Sequence, residues 1–229
     1  MENMADRCAV RCLLDDDELL NQLAEELIEL SLAAGEISSP AFKEMRKTNL
    51  QTGESVSLVD EFMEEVADVE LVMEILLDDD DRKILHSKMK CMDDSIDAAN
   101  WFYFVNGICW RCMRTAKAAL KMRRVITQIN PTPTTWPKAH DDLMSGLADL
   151  LHRINVAKGA LVLGAKKVDA IKEQKAARWA HRLDEHWSNA SDELRDRLLR
   201  EASVYLKKAT GGMEDGNVQQ DPEELLGNG

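Results

Sequence analysis

ELLNQLAEELIELSLAA, residues 18–34, and VDEFMEEVADVELVMEILL, residues 59–77, decide the fold. In the first, Leu19, Leu20, Leu23, Leu27, Leu30 and Ala34 recur at the spacing of one helix face. In the second, Phe62, Val66, Val69, Met73 and Leu76 continue a stripe begun by Leu58. Each segment therefore predicts an amphipathic helix with one face in a core, over residues 18–34 and 57–77. Between them, GEISSPAFKEMRKTNLQTGES breaks the period at Gly35, Pro40 and Gly53 and gathers basic residues, as a connecting loop does.

Working outward, Ile84, Leu85 and Met89 mark a shorter amphipathic helix. The second half repeats the plan: a long helical pattern over residues 96–129, a proline-rich break at INPTPTTWP, and helices over 138–162, 166–186 and 192–208. No stretch alternates with period two, so no sheet is expected and the fold class is all-α, a helical bundle. Residues 210–229 carry almost no apolar side chains and read as a disordered acidic tail. The acidic runs Asp15 to Asp17 and Asp78 to Asp81 precede helical patterns, where they act as N-caps and complement the helix dipole.

The 229 residues are 45% hydrophobic, enough to bury a core without covalent staples. With no apolar run of membrane-spanning length and acids at the N-terminus, a soluble cytoplasmic protein is expected. Five irregularly spaced cysteines argue against a disulfide framework, and the lone Cys109–Cys112 pair lacks further metal ligands, so ordinary thiols are expected. A net charge of −13 disfavours nucleic acid and acidic membranes as partners.

The halves also match each other. DEFMEEVADVELVMEIL from Asp60 aligns without gaps to DDLMSGLADLLHRINVA from Asp141, pairing Phe62 with Leu143, Met63 with Met144, Ala67 with Ala148 and Asp68 with Asp149. Both follow a turn-rich loop. A tandem duplication accounts for this, with one repeat in residues 1–95 and a second in 96–209.

Glu26 and Glu29 lie three apart, as do Glu65 and Asp68, and each pair shares a helix face at the border of an apolar stripe. Packing two such helices together gathers four like charges, an arrangement that costs free energy until a cation neutralises it. Oxygen ligands suit magnesium, with manganese as the alternative.

On these residues the chain resembles the MazG-like all-α nucleotide pyrophosphohydrolases. LAEELIEL resembles that family's first motif, E-E-x-x-E, and EEVADVELVMEIL its second, E-x-x-D. The resemblance implies that Glu26, Glu29, Glu65 and Asp68 bind Mg2+, and that a nucleoside or deoxynucleoside triphosphate is hydrolysed to monophosphate and pyrophosphate. The loop between the motifs is longer than is usual there. AALKMRRVITQINPTP, ADLLHRINVA and IKEQKAARWAHRL resemble the same family's phage and prophage members, which would place the protein in a host cytoplasm. In this copy Trp110, Arg111 and Arg114 stand where the first motif's acids belong, Gly146 replaces the second motif's glutamate, and Asp149 alone survives. The second repeat is therefore expected to be inactive, with Arg111 and Arg114 beside Asp149. It would pack on the first as a single-chain pseudo-dimer, open to further homodimerisation.

Glu25 and Glu64 are spare acids able to orient a water. Lys43, Arg46 and Lys47 are candidates for phosphate contacts, with Lys88, Lys175, Arg178 and Arg182 behind them. The aromatic run Trp101 to Phe104 reads as core rather than a base platform. The competing function is a non-catalytic helical protein that binds a nucleotide or a partner without turnover.

Overall fold

The computed structural model describes residues 7, 10–11, 13–39, 41, 45–48, 53, 55–92, 100–127, 135–161 and 165–188. Six helices dominate them: α1 (Asp16–Glu36), α2 (Leu58–Leu76), α3 (Asp79–Lys90), α4 (Trp101–Ile126), α5 (Thr135–Ala160) and α6 (Ala165–Ser188). The acidic runs act as start signals. Asp15 accepts from the Glu18 backbone N–H at 2.8 Å and Glu18 accepts from that of Asp15 at 3.0 Å, a complete capping box. Asp78 is a simpler N-cap for α3, its side chain accepting from the backbone N–H groups of Asp80 and Asp81.

One sequence expectation fails here. The loop after α1 contains an antiparallel hairpin, β1 (Arg46–Thr48) and β2 (Ser55–Ser57), with Arg46 opposite Ser57. Three residues per strand are too few to show period-two alternation, and Gly53, at φ 73°, supplies left-handed backbone for the return. The hairpin ends on Ser57, which caps α2.

At the centre α1 and α4 lie antiparallel. Arg123 reaches Asp17 and Asn21 at one end, the Ser31 hydroxyl donates to the Cys109 carbonyl in the middle, and Trp101 Nε1 donates to the Ile37 carbonyl at 2.7 Å at the other. Helix α2 packs on α1, and α5 on α4. Leu27, Phe62, Ile108 and Leu147, one from each of these helices, are fully buried in a single cluster, each contributing about 1.5–3 kcal/mol on leaving water. The aromatic run divides: Phe104 is buried and Trp101 half-buried, whereas Phe102 and Tyr103 are exposed.

The remaining two helices cross over. Helix α3, from the first half, packs on α5 of the second, and α6, from the second half, packs on α2 of the first. Lys88 of α3 pairs with Asp141 on α5 at 2.7 Å, and Lys167 of α6 pairs with Asp60 on α2. Asp60 and Asp141 are the two residues that open the aligned segments. All described residues lie in one compact unit, Met1–Asn189. The helix expected over 192–208 and the tail from residue 210 fall outside the described residues. No described helix is long and apolar enough to cross a membrane.

Candidate metal centre

Glu26 and Glu29 project from α1 toward α2, which presents Glu65 and Asp68. One carboxylate oxygen each of Glu26, Glu29 and Glu65 lie within 4.8 Å of one another, so a single cation can touch all three. Glu65 Oε2 is buried and has no hydrogen-bond partner. Such an orphaned oxygen costs free energy unless a donor or cation meets it, and an all-oxygen donor set fits a hard divalent ion.

The fourth acid is engaged otherwise. Lys175 of α6 donates to Asp68, so that an ammonium group stands at one side of the cage. Burial, followed by the charge of Asp68, pushes the Glu26 carboxyl up from 4.5 to about 7, against the hydrogen bond from Gln22. Glu65 rises to about 7 from the same two leading causes, with Lys175 opposing. Burial also raises Asp68, against the pull of Lys175 and Arg178. The cage thus sets half-buried Glu26, Glu65 and Asp68 in mutual repulsion beside the exposed Glu29, with Lys175 paired to Asp68 as counter-ion.

Two clefts open from it. On the α6 side, about 500 Å3 is bounded by Glu26, Glu29 and Asp68 across from Lys175, Arg178, Trp179 and Arg182. On the hairpin side, about 530 Å3 is bounded by Glu29, Glu65, Glu36, Glu61 and Lys47. Glu29 faces both.

The other candidates scatter. Lys47 borders the hairpin-side cleft and pairs with Glu61 and, at 3.1 Å, with Glu36. Arg46 instead donates to the Ser55 hydroxyl at 2.8 Å within the hairpin. Lys43 lies outside the described residues. Lys88, on α3, turns away to the second half, bonded to Asp141 and Ser145 on α5. Glu25 is exposed and accepts from Asn21 at 2.8 Å; Glu64 is exposed as well, and neither borders the two clefts. Besides the cage acids, Glu36 and Glu61 border the hairpin-side cleft, and Glu61 has its Oε2 buried without a hydrogen-bond partner. Its signal was in the sequence, one helical turn before Glu65. Arg178 and Arg182 gain standing from the α6 cleft, as does Trp179, which sequence reasoning passed over.

In the second half, Arg111 Nε stands 2.7 Å from Asp149 Oδ1, close enough for an ion pair but not aligned for a hydrogen bond. The second cation near Asp149 is Arg153, at 4.0 Å, while Arg114 turns outward over the Trp110 ring. Gly146, aligned with Glu65, abuts the buried Thr115: a Cβ there would come within 2.9 Å of Thr115 Oγ1. Gly146→Ala should therefore lower the unfolding midpoint in denaturant, instead of giving the gain of about 1 kcal/mol expected for replacing a helical glycine. A rise of that size would show that the contact relaxes freely. Cys109 and Cys112 form no disulfide, and burial holds both thiols above their ordinary value, most strongly Cys112.

No family model matches the chain, and neither a curated protein nor a solved structure is significantly similar to it.

Proposed function

We propose that the chain is a magnesium-dependent pyrophosphohydrolase, converting a nucleoside or deoxynucleoside triphosphate to monophosphate and pyrophosphate, with Glu26, Glu29, Glu65 and Asp68 as the metal ligands. The observation that carries this reading is the convergence of three carboxylates, one of which, Glu65, has a buried oxygen without a partner. Manganese suits the same donors.

A bound divalent ion would neutralise triphosphate oxygens and make a water molecule acidic enough to attack phosphorus. The chain's own groups do the placing. Lys175, Arg178 and Arg182 face the acids across the α6 cleft, where cations hold phosphate oxygens; Trp179 adds an apolar wall to that cleft. Lys175 holds Asp68 in the metal-free chain, and a cation bound beside Asp68 would release it for a phosphate contact. On the hairpin side, Glu61 is the acid placed to accept a proton from water, in preference to the exposed Glu25 and Glu64.

The two halves are read as repeats packed as a pseudo-dimer. The crossed packing of α3 and α6, and the matched lysine pairs at Asp60 and Asp141, support that arrangement. In the second repeat Arg111 and Asp149 neutralise each other, leaving no place for a cation.

One observation favours the non-catalytic alternative: Lys175 already neutralises Asp68 without any ion. A screen of common ribo- and deoxynucleotides with Mg2+, scored for pyrophosphate, separates the two. Pyrophosphate that disappears with excess chelator is expected. Orthophosphate as first product, or turnover undiminished by chelator, would count against the mechanism, and nucleotide binding without turnover would support the alternative.

A further inference from the structure

The two central helices divide the charge between them. Helix α1 carries Asp16, Asp17, Glu18, Glu25, Glu26, Glu29 and Glu36 with no lysine or arginine, whereas α4 carries Arg111, Arg114, Lys117, Lys121, Arg123 and Arg124 with no acid. Contacts within the chain use part of this: Arg123 pairs with Asp17, Arg111 with Asp149 and Lys121 with Asp142. Arg114 and Lys117 are exposed and make no ion pair among the described residues, and Glu25 on α1 is exposed as well.

The same outer face also carries large apolar side chains. On α1, Ile28 and Leu32 follow Asn21 at helical spacing, along the edge that Asn21 marks as facing α4. On α4, Met113 lies one turn beyond Cys109, whose carbonyl receives Ser31 of α1, and Trp110 stands one turn before Met113. Leu32 is 68% exposed, Trp110 57% and Met113 52%. Large apolar side chains gathered on one face of a soluble helix pair mark an interaction site.

We infer that this α1/α4 face is the interface of a homodimer, in which α1 of each copy lies against α4 of the other. Charge decides the occupant: the face is acidic along one helix and basic along its neighbour, so it is complementary to itself. Charge also decides the symmetry axis. A two-fold running along the helices sets α1 against the second copy's α4, while one across them sets acid against acid. An axis along the helices keeps every residue at its own height. Within the chain Asn21 is level with Arg123, Ser31 with Cys109 and Ile37 with Trp101. Interpolating, Glu25 of one copy meets Arg114 and Lys117 of the other, Ile28 meets Met113, and Leu32 meets Trp110. Two helices about 10 Å apart, sharing about 30 Å of length, offer a face of roughly 600 Å2, near the ~800 Å2 per partner of a standard interface. Leu32 also borders the hairpin-side cleft, so the second copy's Trp110 closes the rim of that cleft. The inference is independent of the proposed chemistry.

Sedimentation equilibrium on the full chain tests it. A mass twice 25.8 kDa is expected at micromolar concentration. Trp110→Glu, an exposed position, should give a monomer with unchanged helical circular dichroism. Glu25→Lys alone, and Arg114→Glu with Lys117→Glu, should each weaken association at least about tenfold, and the three together should restore it. A wild-type monomer at every concentration, or a dimer that Trp110→Glu leaves intact, overturns the interface. A triple variant no tighter than its parents overturns the pairing of α1 with α4.

Discussion

Glu65→Gln should abolish pyrophosphate release while leaving a protein that is folded and, without metal, more stable than the wild type. The two halves of that expectation have one cause. Glu65 is half-buried among Glu26, Glu29 and Asp68, its Oε2 has no partner, and its carboxyl is pushed up to about 7. Near neutral pH the metal-free fold therefore holds a carboxylate where a neutral group is preferred. Glutamine keeps the shape, removes the charge, and brings an amide able to donate to the neighbouring acids. Activity should fall at least about a hundredfold, since residues that merely orient metal ligands already cost 10- to 100-fold. The gain in stability should be on the order of 1–2 kcal/mol after allowing for remaining solvent contact. In a domain of this size that corresponds to a few degrees in Tm, about 2–4 °C per kcal/mol. Glu26→Gln should behave alike, because burial and Asp68 raise it by the same route.

Asp68→Asn is the informative contrast. Asp68 already has a counter-ion in Lys175, so the substitution strands a lysine that is itself half-buried. Activity should fall as steeply as for Glu65→Gln, but without any gain in metal-free stability. Chelator-treated protein, unfolded thermally beside a pyrophosphate assay, reads both quantities. Near-normal turnover in Glu65→Gln would show that the acid is only structural, and lower stability would show that its charge is satisfied.

How much of this was legible depends on how local each cause is. The helices were, because apolar spacing, the capping box at Asp15 and the serine before Leu58 all act within a few residues. The three converging carboxylates were legible as well, since spacing of three along a helix fixes which side chains share a face. The hairpin was not, because its strands are too short to carry a pattern. Neither was the division of labour among the cations. Lys175 reaches Asp68 only because α6 crosses to the other half, and no local signal in IKEQKAARWAHRL specifies that crossing. Adjacency to the motif acids points to Glu25 and Glu64, but neither borders the clefts, whereas Glu61, one helical turn before Glu65, borders the hairpin-side cleft. The alignment sets Arg114 beside Asp149, yet its position on α4 turns it over Trp110, and Arg153 takes the place.

Without metal, the stability of the wild-type chain should fall as pH rises from about 5 to about 8, contrary to a protein whose carboxylates are mostly well paired. Glu26 and Glu65 both titrate near 7 in the folded chain against 4.5 when unperturbed. Below the unperturbed value both states carry the protons and the two acids contribute no penalty. Between it and 7 the unfolded chain ionises first, the folded chain binds more protons, and stability declines with each rise in pH. Above 7 both states are ionised and the loss is complete. Its size should be on the order of 2–3 kcal/mol for the two together, discounted for solvent contact. Asp60, held below its ordinary value mainly by Lys167, acts in the opposite sense, but only under acid conditions below this window. Magnesium competes with the same protons, so saturating Mg2+ should flatten the decline, and its increase in Tm should be larger at about pH 8 than at about pH 6. Thermal unfolding at several pH values, with chelator or with Mg2+, measures both, and the Glu26→Gln, Glu65→Gln double variant should be nearly flat across the window in chelator. A wild-type curve as flat as that variant's, or a magnesium effect independent of pH, would mean that the cage does not hold its charges in the way that Glu26, Glu65 and Asp68 are placed to do.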